Sequence, residues 1–237
     1  MNLQRYEQVS QAEDVTSFRQ GLIDFANDLD FGLVVGVLAV ERVGAGAKTD
    51  YFSVGNTPEK FLQASRDPAF AKRDPVHTQL MQRWTPLIYD QNFYVEAGAA
   101  ELWEMVAPFG YRTGVAVAVH MSGHKRLLLG MDREEALPKD AIKLNRMLAD
   151  LQLLAVHAQD AASRLLLPQS TIKLPERQLE ILRLTKQGKS AWVVGSLLGI
   201  SENTVNYHMK QLFKALEVST KHQAVNKAMA LGLLDDR

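Results

Sequence analysis

Apolar and polar positions along this 237-residue chain repeat with two periods, and the changes of period mark its elements. From Arg5 to Asp30, Val9, Val15, Phe18, Leu22, Ile23 and Phe25 gather on one side of a helix. Phe31 to Val40 is a nearly continuous apolar, β-branched run, which predicts a buried strand, and Tyr51 to Val54 predicts a second. Pro58 opens a short helix to Ala64. Pro75 opens another, through Leu80 and Met81 to Trp84, and Ala97 to Pro108 is a third, followed by Gly110. Thr113 to Met121 alternates valine with small residues, Ser122-Gly123-His124 makes a turn, and Arg126 to Met131 returns as a strand. Pro138 to Leu165 reads as one long helix. Its apolar residues (Ile142, Leu144, Met147, Leu148, Leu151, Leu154, Ala155) cover more than a narrow stripe. Helices on an antiparallel sheet fit this order, an α+β domain over residues 1–165.

After a linker at residues 166–173, marked by Leu166-Leu167-Pro168-Gln169-Ser170, the period becomes helical throughout residues 174–237. This stretch predicts an all-α helix-turn-helix head. Pro175 opens its first helix, which carries Leu179, Ile181, Leu182 and Leu184, and Gly188 stops it. Ser190 caps a second helix that sends Val194, Leu197 and Leu198 to the core. Gly199-Ile200-Ser201 is a tight turn, and Ser201 caps a third helix from Glu202 to Glu217. There Val205, Met209, Leu212, Phe213 and Leu216 form one apolar stripe, whereas Asn203, Asn206, Tyr207, Lys210 and Lys214 form a second face without a carboxylate. Amides and ammonium groups suit base edges, and lysines and hydroxyls suit phosphates. A helix packed on one side and presenting such a row is built to enter a major groove. Periodicity alone also permits a solvated amphipathic helix. The ordered series Gly188-Lys189-Ser190, Gly199-Ile200-Ser201, Asn203-Thr204-Val205 and His208 favours DNA.

Composition narrows the field. There is no cysteine, which excludes disulfides and thiolate metal sites and is compatible with a cytoplasmic setting. No apolar run reaches the length of a membrane span, and the polar start Met1-Asn2-Leu3-Gln4-Arg5 lacks a signal-peptide core, so no membrane partner is expected. The net charge of zero hides an asymmetry. Residues 171–237 hold ten lysines and arginines against six acids, a net +4, and the remainder is −4. The basic end is the proposed head. That modest charge favours paired heads on a two-part site.

The head resembles the LuxR family of bacterial transcription regulators. The resemblance rests on Leu174, Arg177, Glu180, Leu182, Gly188 to Ser190, Leu198, Ile200, Ser201, Thr204, Val205, His208, Leu216 and Lys221. Two departures stand out. A family glutamate is Gln178 here, and the usual Glu-Ile-Ala is Val193-Val194-Gly195. A glycine inside a helix costs roughly 1 kcal/mol against alanine, so a less stable head is expected. Asn206 and Lys210 face out beside each other on the third helix and are expected to read bases. Lys189, Ser190, Thr204, His208, Lys214, Thr220 and Lys221 are expected mainly to contact phosphates. One recognition helix reads few base pairs, so the expected partners are a two-fold symmetric promoter duplex and a second copy of the chain, with RNA polymerase. For the homodimer two surfaces are available: the wide apolar face of the long helix, and the segment Ala224-Val225, Ala228-Met229, Leu231.

Residues 1–165 resemble, less closely, the acyl-homoserine-lactone-binding domain of the quorum-sensing LuxR regulators. The shared features are Asn56-x-Pro58, Asp74-Pro75, the Trp84 to Tyr89 segment, Leu102-Trp103-Glu104, and Gly110 with Gly114. The family fold is an α-β-α sandwich with a signal pocket between sheet and one helix layer. By that resemblance Asp74 accepts a hydrogen bond from the signal's amide N–H. It is equally suited to cap the helix begun by Pro75. Gly114 matches a glycine that keeps the sheet clear of the ligand. The family's lactone-holding tryptophan is Phe61 here, which has no donor. Tyrosines of the family are Ser65 and Thr57, the ring-packing tryptophan is Tyr89, and a late-strand hydroxyl falls near Leu129. Tyr94 and Trp103, with Val115, Val117, Leu127 and Leu129, complete an apolar lining. The implied signal is a hydrophobic molecule with an N–H group, an acyl-homoserine lactone or a non-lactone relative whose ring is dispensable.

Other functions are open at this stage. The domain at residues 1–165 can serve only to form homodimers or inactive heterodimers, without a signal. A phosphorylated receiver does not fit a chain that starts with a long helix. Asp74, His77, Glu101, Glu104 and His120 can be assembled into an acid–base set. However, no metal-ligand spacing, phosphate-cradling loop or nucleophile elbow accompanies them, so neither an enzyme nor a cofactor is expected.

Overall fold

The computed structural model describes residues 3–41, 48–167 and 172–234, which form two compact units. The first holds a five-stranded antiparallel sheet, ordered β2-β1-β5-β4-β3. Its strands are β1 (Leu33–Glu41), β2 (Thr49–Gly55), β3 (Leu87–Asp90), β4 (Thr113–Met121) and β5 (Lys125–Arg133). Three helices cover one face: α1 (Leu3–Ser10), α2 (Val15–Asp28) and α8 (Ala141–Leu166). Short helices cover the other face: α3 (Glu59–Ala64), α4 (Pro68–Arg73), α5 (Pro75–Leu80), α6 (Gln91–Glu96) and α7 (Ala100–Val106). The result is an α-β-α sandwich.

Strand alternation divides β4 and β5 between two cores. Val115, Val117, Leu127, Leu129 and Met131 join Phe18, Leu22, Phe25, Leu151 and Leu154 under α2 and α8. Ala116, Ala118 and Leu128 face the short helices with Tyr89 and Trp103. Helix α8 lies close to the sheet because Ala155, Ala158, Ala161 and Ala162 are fully buried. The buried Asp150 on α8 accepts from the Tyr6 hydroxyl at 2.7 Å and from Arg146 at 3.1 Å, which offsets its desolvation.

Several elements differ from the sequence expectation. The helix expected over Arg5 to Asp30 is two helices. Asp14 caps α2 by accepting from the Ser17 N–H at 2.7 Å, and the Ser17 hydroxyl accepts from the Asp14 N–H, a capping box without the usual glutamate. Helix α5 ends at Leu80, short of Trp84. The elements β3, α4 and α6, four to six residues long, were not expected. Of the expected linker, Leu166 is the last residue of α8, and residues 168–171 lie outside the described residues.

The second unit is a four-helix head: α9 (Glu176–Lys186), α10 (Ala191–Leu198), α11 (Glu202–Ala215) and α12 (Lys221–Ala230). Ile181, Leu182, Val194, Val205, Met209, Leu212 and Leu216 form its core. Gly188 and Gly199 end α9 and α10 at φ 77° and 66°, a backbone region that favours glycine. Three expectations need correction. Leu197 is 59% exposed rather than packed in the core. Ala224 and Ala228 are fully buried in the head's own core, so they are not part of an outer surface. Gly195 is not a loose substitute for alanine, because a Cβ there would lie 2.7 Å from the Ile200 carbonyl oxygen. The α10–α11 turn packs directly on its Cα.

Candidate functional site

A cavity of about 70 Å³ lies between the sheet and α3 to α7. Its floor is made of Val35 and Val37 of β1, Ala116 of β4, and Leu128, Gly130 and Asp132 of β5. Gly130 pairs with both Val35 and Ala116, so the centre of the floor is shallow. The roof is aromatic. The Phe61 ring stands 5.8 Å from Phe70 and 5.5 Å from Tyr111, and Tyr94 stands 6.3 Å from Tyr89 and 5.5 Å from Trp103. The volume is well below the ~300 Å³ of a small-molecule site, so a larger occupant must displace these rings.

Of the expected pocket residues, Phe61, Ser65, Asp74, Tyr89, Tyr94 and Trp103 line the cavity. Leu129 does not. It faces the α2–α8 layer on the far side of the sheet, as do Val115, Val117 and Leu127. The side chains of β5 that face the cavity are the even-numbered ones, one residue away, as a period of two requires. Pro75 is buried at the first position of α5 and shapes the turn without lining the cavity. Gly114 also stands back from the lining, and its role is spatial. A Cβ there would lie 2.2 Å from the Tyr89 ring and 2.5 Å from Asp132 Oδ1, so its absence lets those two side chains meet. The Ser65 hydroxyl donates to the Leu62 carbonyl at 2.8 Å within its own helix.

Asp74 is both a helix cap and part of the cavity lining. It caps α5 by accepting from the Val76 N–H at 3.0 Å, and it lines the cavity while accepting from the Tyr94 hydroxyl at 3.2 Å. Burial raises its pKa to about 6, against those two hydrogen bonds. A second acid was missed in the sequence. Asp132 is 1% exposed and accepts from the Tyr89 hydroxyl at 2.8 Å. Burial raises its pKa to about 8, with Tyr89 opposing and the Asp74 charge assisting. The signal for it was present: one acid at an inward position of an otherwise apolar strand, in register with Gly114. His77 also lines the cavity, and burial lowers its pKa to about 4. At neutral pH the cavity therefore holds an ionised Asp74, a neutral Asp132 and a neutral imidazole.

In the head, Ser201 caps α11 by accepting from the Thr204 N–H at 3.1 Å, and the two hydroxyls are 2.8 Å apart. The α11 row is placed as its spacing requires. Asn203, Tyr207, Lys210 and Lys214 are exposed, and Asn206 and Thr204 are half-buried. Lys189 and Ser190 are exposed at the start of α10, and Thr220 and Lys221 at the start of α12. Ser190 and Thr220 accept from the Val193 and Gln223 N–H groups, which uses hydroxyl lone pairs and leaves each O–H able to donate outward. His208 is half-buried, with an Nδ1 that has no hydrogen-bond partner. Arg177, part of the family pattern, holds the head together. It donates to the Leu198 carbonyl and, at 2.8 Å, to Glu180.

Residues 14–162 match the family model described as an autoinducer binding domain, and residues 172–228 match that of bacterial regulatory proteins, luxR family. The transcriptional activator protein SolR of Ralstonia nicotianae is 36% identical over 140 residues, 57% of this chain. The chain spans only 59% of SolR's length in that match. The regulatory protein SdiA of Escherichia coli is 29% identical over 76% of this chain and 75% of its own. A crystal structure of SdiA superposes with a TM-score of 0.72 at 24% identity, over 99% of this chain and 96% of that one. SdiA in complex with octanoyl-rac-glycerol gives 0.75 at 23% identity, again over 99% and 96%. These structures support the sandwich fold and the helical head.

Proposed function

The chain belongs to the LuxR family of bacterial regulatory proteins, with an autoinducer-binding domain, and we propose that it is a transcription regulator controlled by a hydrophobic small molecule. The observation that carries the sensing half is the buried Asp74 carboxylate facing an aromatic-walled cavity, an acceptor for an N–H group in apolar surroundings. The carboxylate-free row on α11 carries the DNA half. Asn206 and Lys210 read base edges, flanked by Asn203 and Tyr207. Lys189, Ser190, Thr204, His208, Lys214, Thr220 and Lys221 hold phosphates.

One recognition helix reads few base pairs, so the regulator acts as a homodimer on a two-fold symmetric site. Leu153 and Val156, exposed on the outer face of α8, support that assembly. The signal is an acyl-homoserine lactone or a non-lactone relative. A CepR2 factor of Burkholderia cenocepacia is N-acylhomoserine lactone dependent, and SdiA forms a complex with octanoyl-rac-glycerol, whose hydroxyls would stand in for the N–H. The protein acts in the cytoplasm, where DNA and RNA polymerase are reached.

A second reading is favoured by the small cavity: regulation by dimerisation, including inactive heterodimers with a related regulator, without any signal. Thermal melting separates the two. A ligand at one hundred times its Kd adds about 2.7 kcal/mol of stability, whereas a domain that binds none shows no shift with any probe.

A further inference from the structure

The cavity hydroxyls are largely committed. Tyr89 donates to Asp132, Tyr94 to Asp74 and Ser65 to the Leu62 carbonyl. Tyr111 is different. It lies in the turn before β4, lines the cavity and is 5% exposed, and its hydroxyl is buried with no hydrogen-bond partner. Leaving such a group unmatched costs about 1–3 kcal/mol, so its persistence calls for an occupant or a function. Burial raises its pKa, so the phenol remains a neutral O–H donor at any physiological pH. The buried Thr57 hydroxyl beside it is likewise without a hydrogen-bond partner, so nothing claims the phenol's proton. The Tyr111 ring also stands 5.5 Å from Phe61, whose side chain has no donor.

We propose that Tyr111 donates its hydroxyl proton to a carbonyl oxygen on the head group of the bound signal, while Asp74 accepts from the signal's N–H. The signal then carries both groups on an apolar body, and its head-group carbonyl is recognised, not dispensable. This inference rests on the sensing role proposed above. A site built to donate a hydrogen bond discriminates against analogues that lack the acceptor.

The test is calorimetric titration and thermal melting of the full chain as wild type, Tyr111→Phe, Phe61→Trp and the double variant. The probes are N-octanoyl-homoserine lactone and N-octanoylcyclopentylamine, which keeps the amide and ring but lacks the ring carbonyl. Tyr111→Phe should weaken the lactone by about tenfold and the cyclopentylamine by less than about twofold. Its melting without ligand should not fall, because only an unmatched hydroxyl is removed. Phe61→Trp should recover several-fold of the loss in the double variant, by supplying an indole N–H nearby. Equal losses for both probes, no loss for the lactone, or a lowered melting temperature without ligand would each overturn the proposal. If neither probe shifts any of the four proteins, the sensing role itself fails and this proposal with it.

Discussion

Asp132 offers a quantitative test of the cavity's electrostatics. A carboxyl in the unfolded chain titrates near pH 4, whereas burial holds Asp132 protonated in the folded chain to about pH 8. Between those values the folded state binds more protons than the unfolded state, so Asp132 makes stability fall as pH rises. The slope is about 1.4 kcal/mol per pH unit, so the loss between pH 5 and pH 7 is about 3 kcal/mol. Asp132→Asn removes the titration but keeps an oxygen to accept from Tyr89, 2.8 Å away in the native chain. His77, with its pKa lowered to about 4, acts in the opposite direction below pH 6.5, and Asp74 adds its own dependence. Both cancel to first order in the difference between wild type and variant. Urea unfolding at pH 5, 6 and 7, followed through the buried Trp103, measures that difference. Asp132→Asn should be close to wild type at pH 5 and gain about 3 kcal/mol on it by pH 7. A difference independent of pH, or one of opposite sign, would refute the assignment of a neutral buried carboxyl.

Three further outcomes are expected. In DNA selected from a random pool, Asn206→Ala and Lys210→Ala should each lose about 1–3 kcal/mol with relaxed base preference, whereas Lys189→Ala and Lys221→Ala should weaken all sequences alike and reduce the salt slope by about one. Unchanged base preference in both α11 variants would count against that division. Gly195→Ala should bring none of the roughly 1 kcal/mol that helix propensity alone predicts, because its Cβ meets the Ile200 carbonyl. A clear rise in melting temperature would contradict the packing argument. Leu153→Asp combined with Val156→Asp should shift the chain toward monomer in light scattering and weaken DNA binding, with the fold retained. An unaffected dimer would move the interface elsewhere.

The legibility of the chain depended on element length. The long helices and the paired nine-residue strands β4 and β5 repeat their periods often enough to be read, and the head announces itself through caps and glycines at fixed offsets. The roof of the cavity did so only in part: α3 and α5, six residues each, show through their opening prolines, α4 carries the same signal in Asp67-Pro68, and α6 and β3 have none. Strand parity was the costlier gap. A run such as Leu127-Leu128-Leu129 is apolar on both faces, so nothing in it says which leucine meets the cavity, and the structure chooses Leu128. Asp132 and Tyr111 were missed for a related reason. Each is a single polar group whose burial is created by partners far away in sequence, Tyr89 and Gly114 for one and Phe61 for the other.

The central claim is that occupancy of the Asp74 cavity controls DNA binding by the head. Its most direct test is the affinity of the full chain for its selected duplex, measured at rising N-octanoyl-homoserine lactone or 1-octanoyl-rac-glycerol in wild type and Asp74→Asn. Coupling of 1–3 kcal/mol predicts a change of about 5- to 150-fold in wild type with at least one probe, reduced in Asp74→Asn, which keeps the helix cap but loses the anionic acceptor. A DNA affinity that stays constant while the same probe measurably binds the protein would contradict the claim.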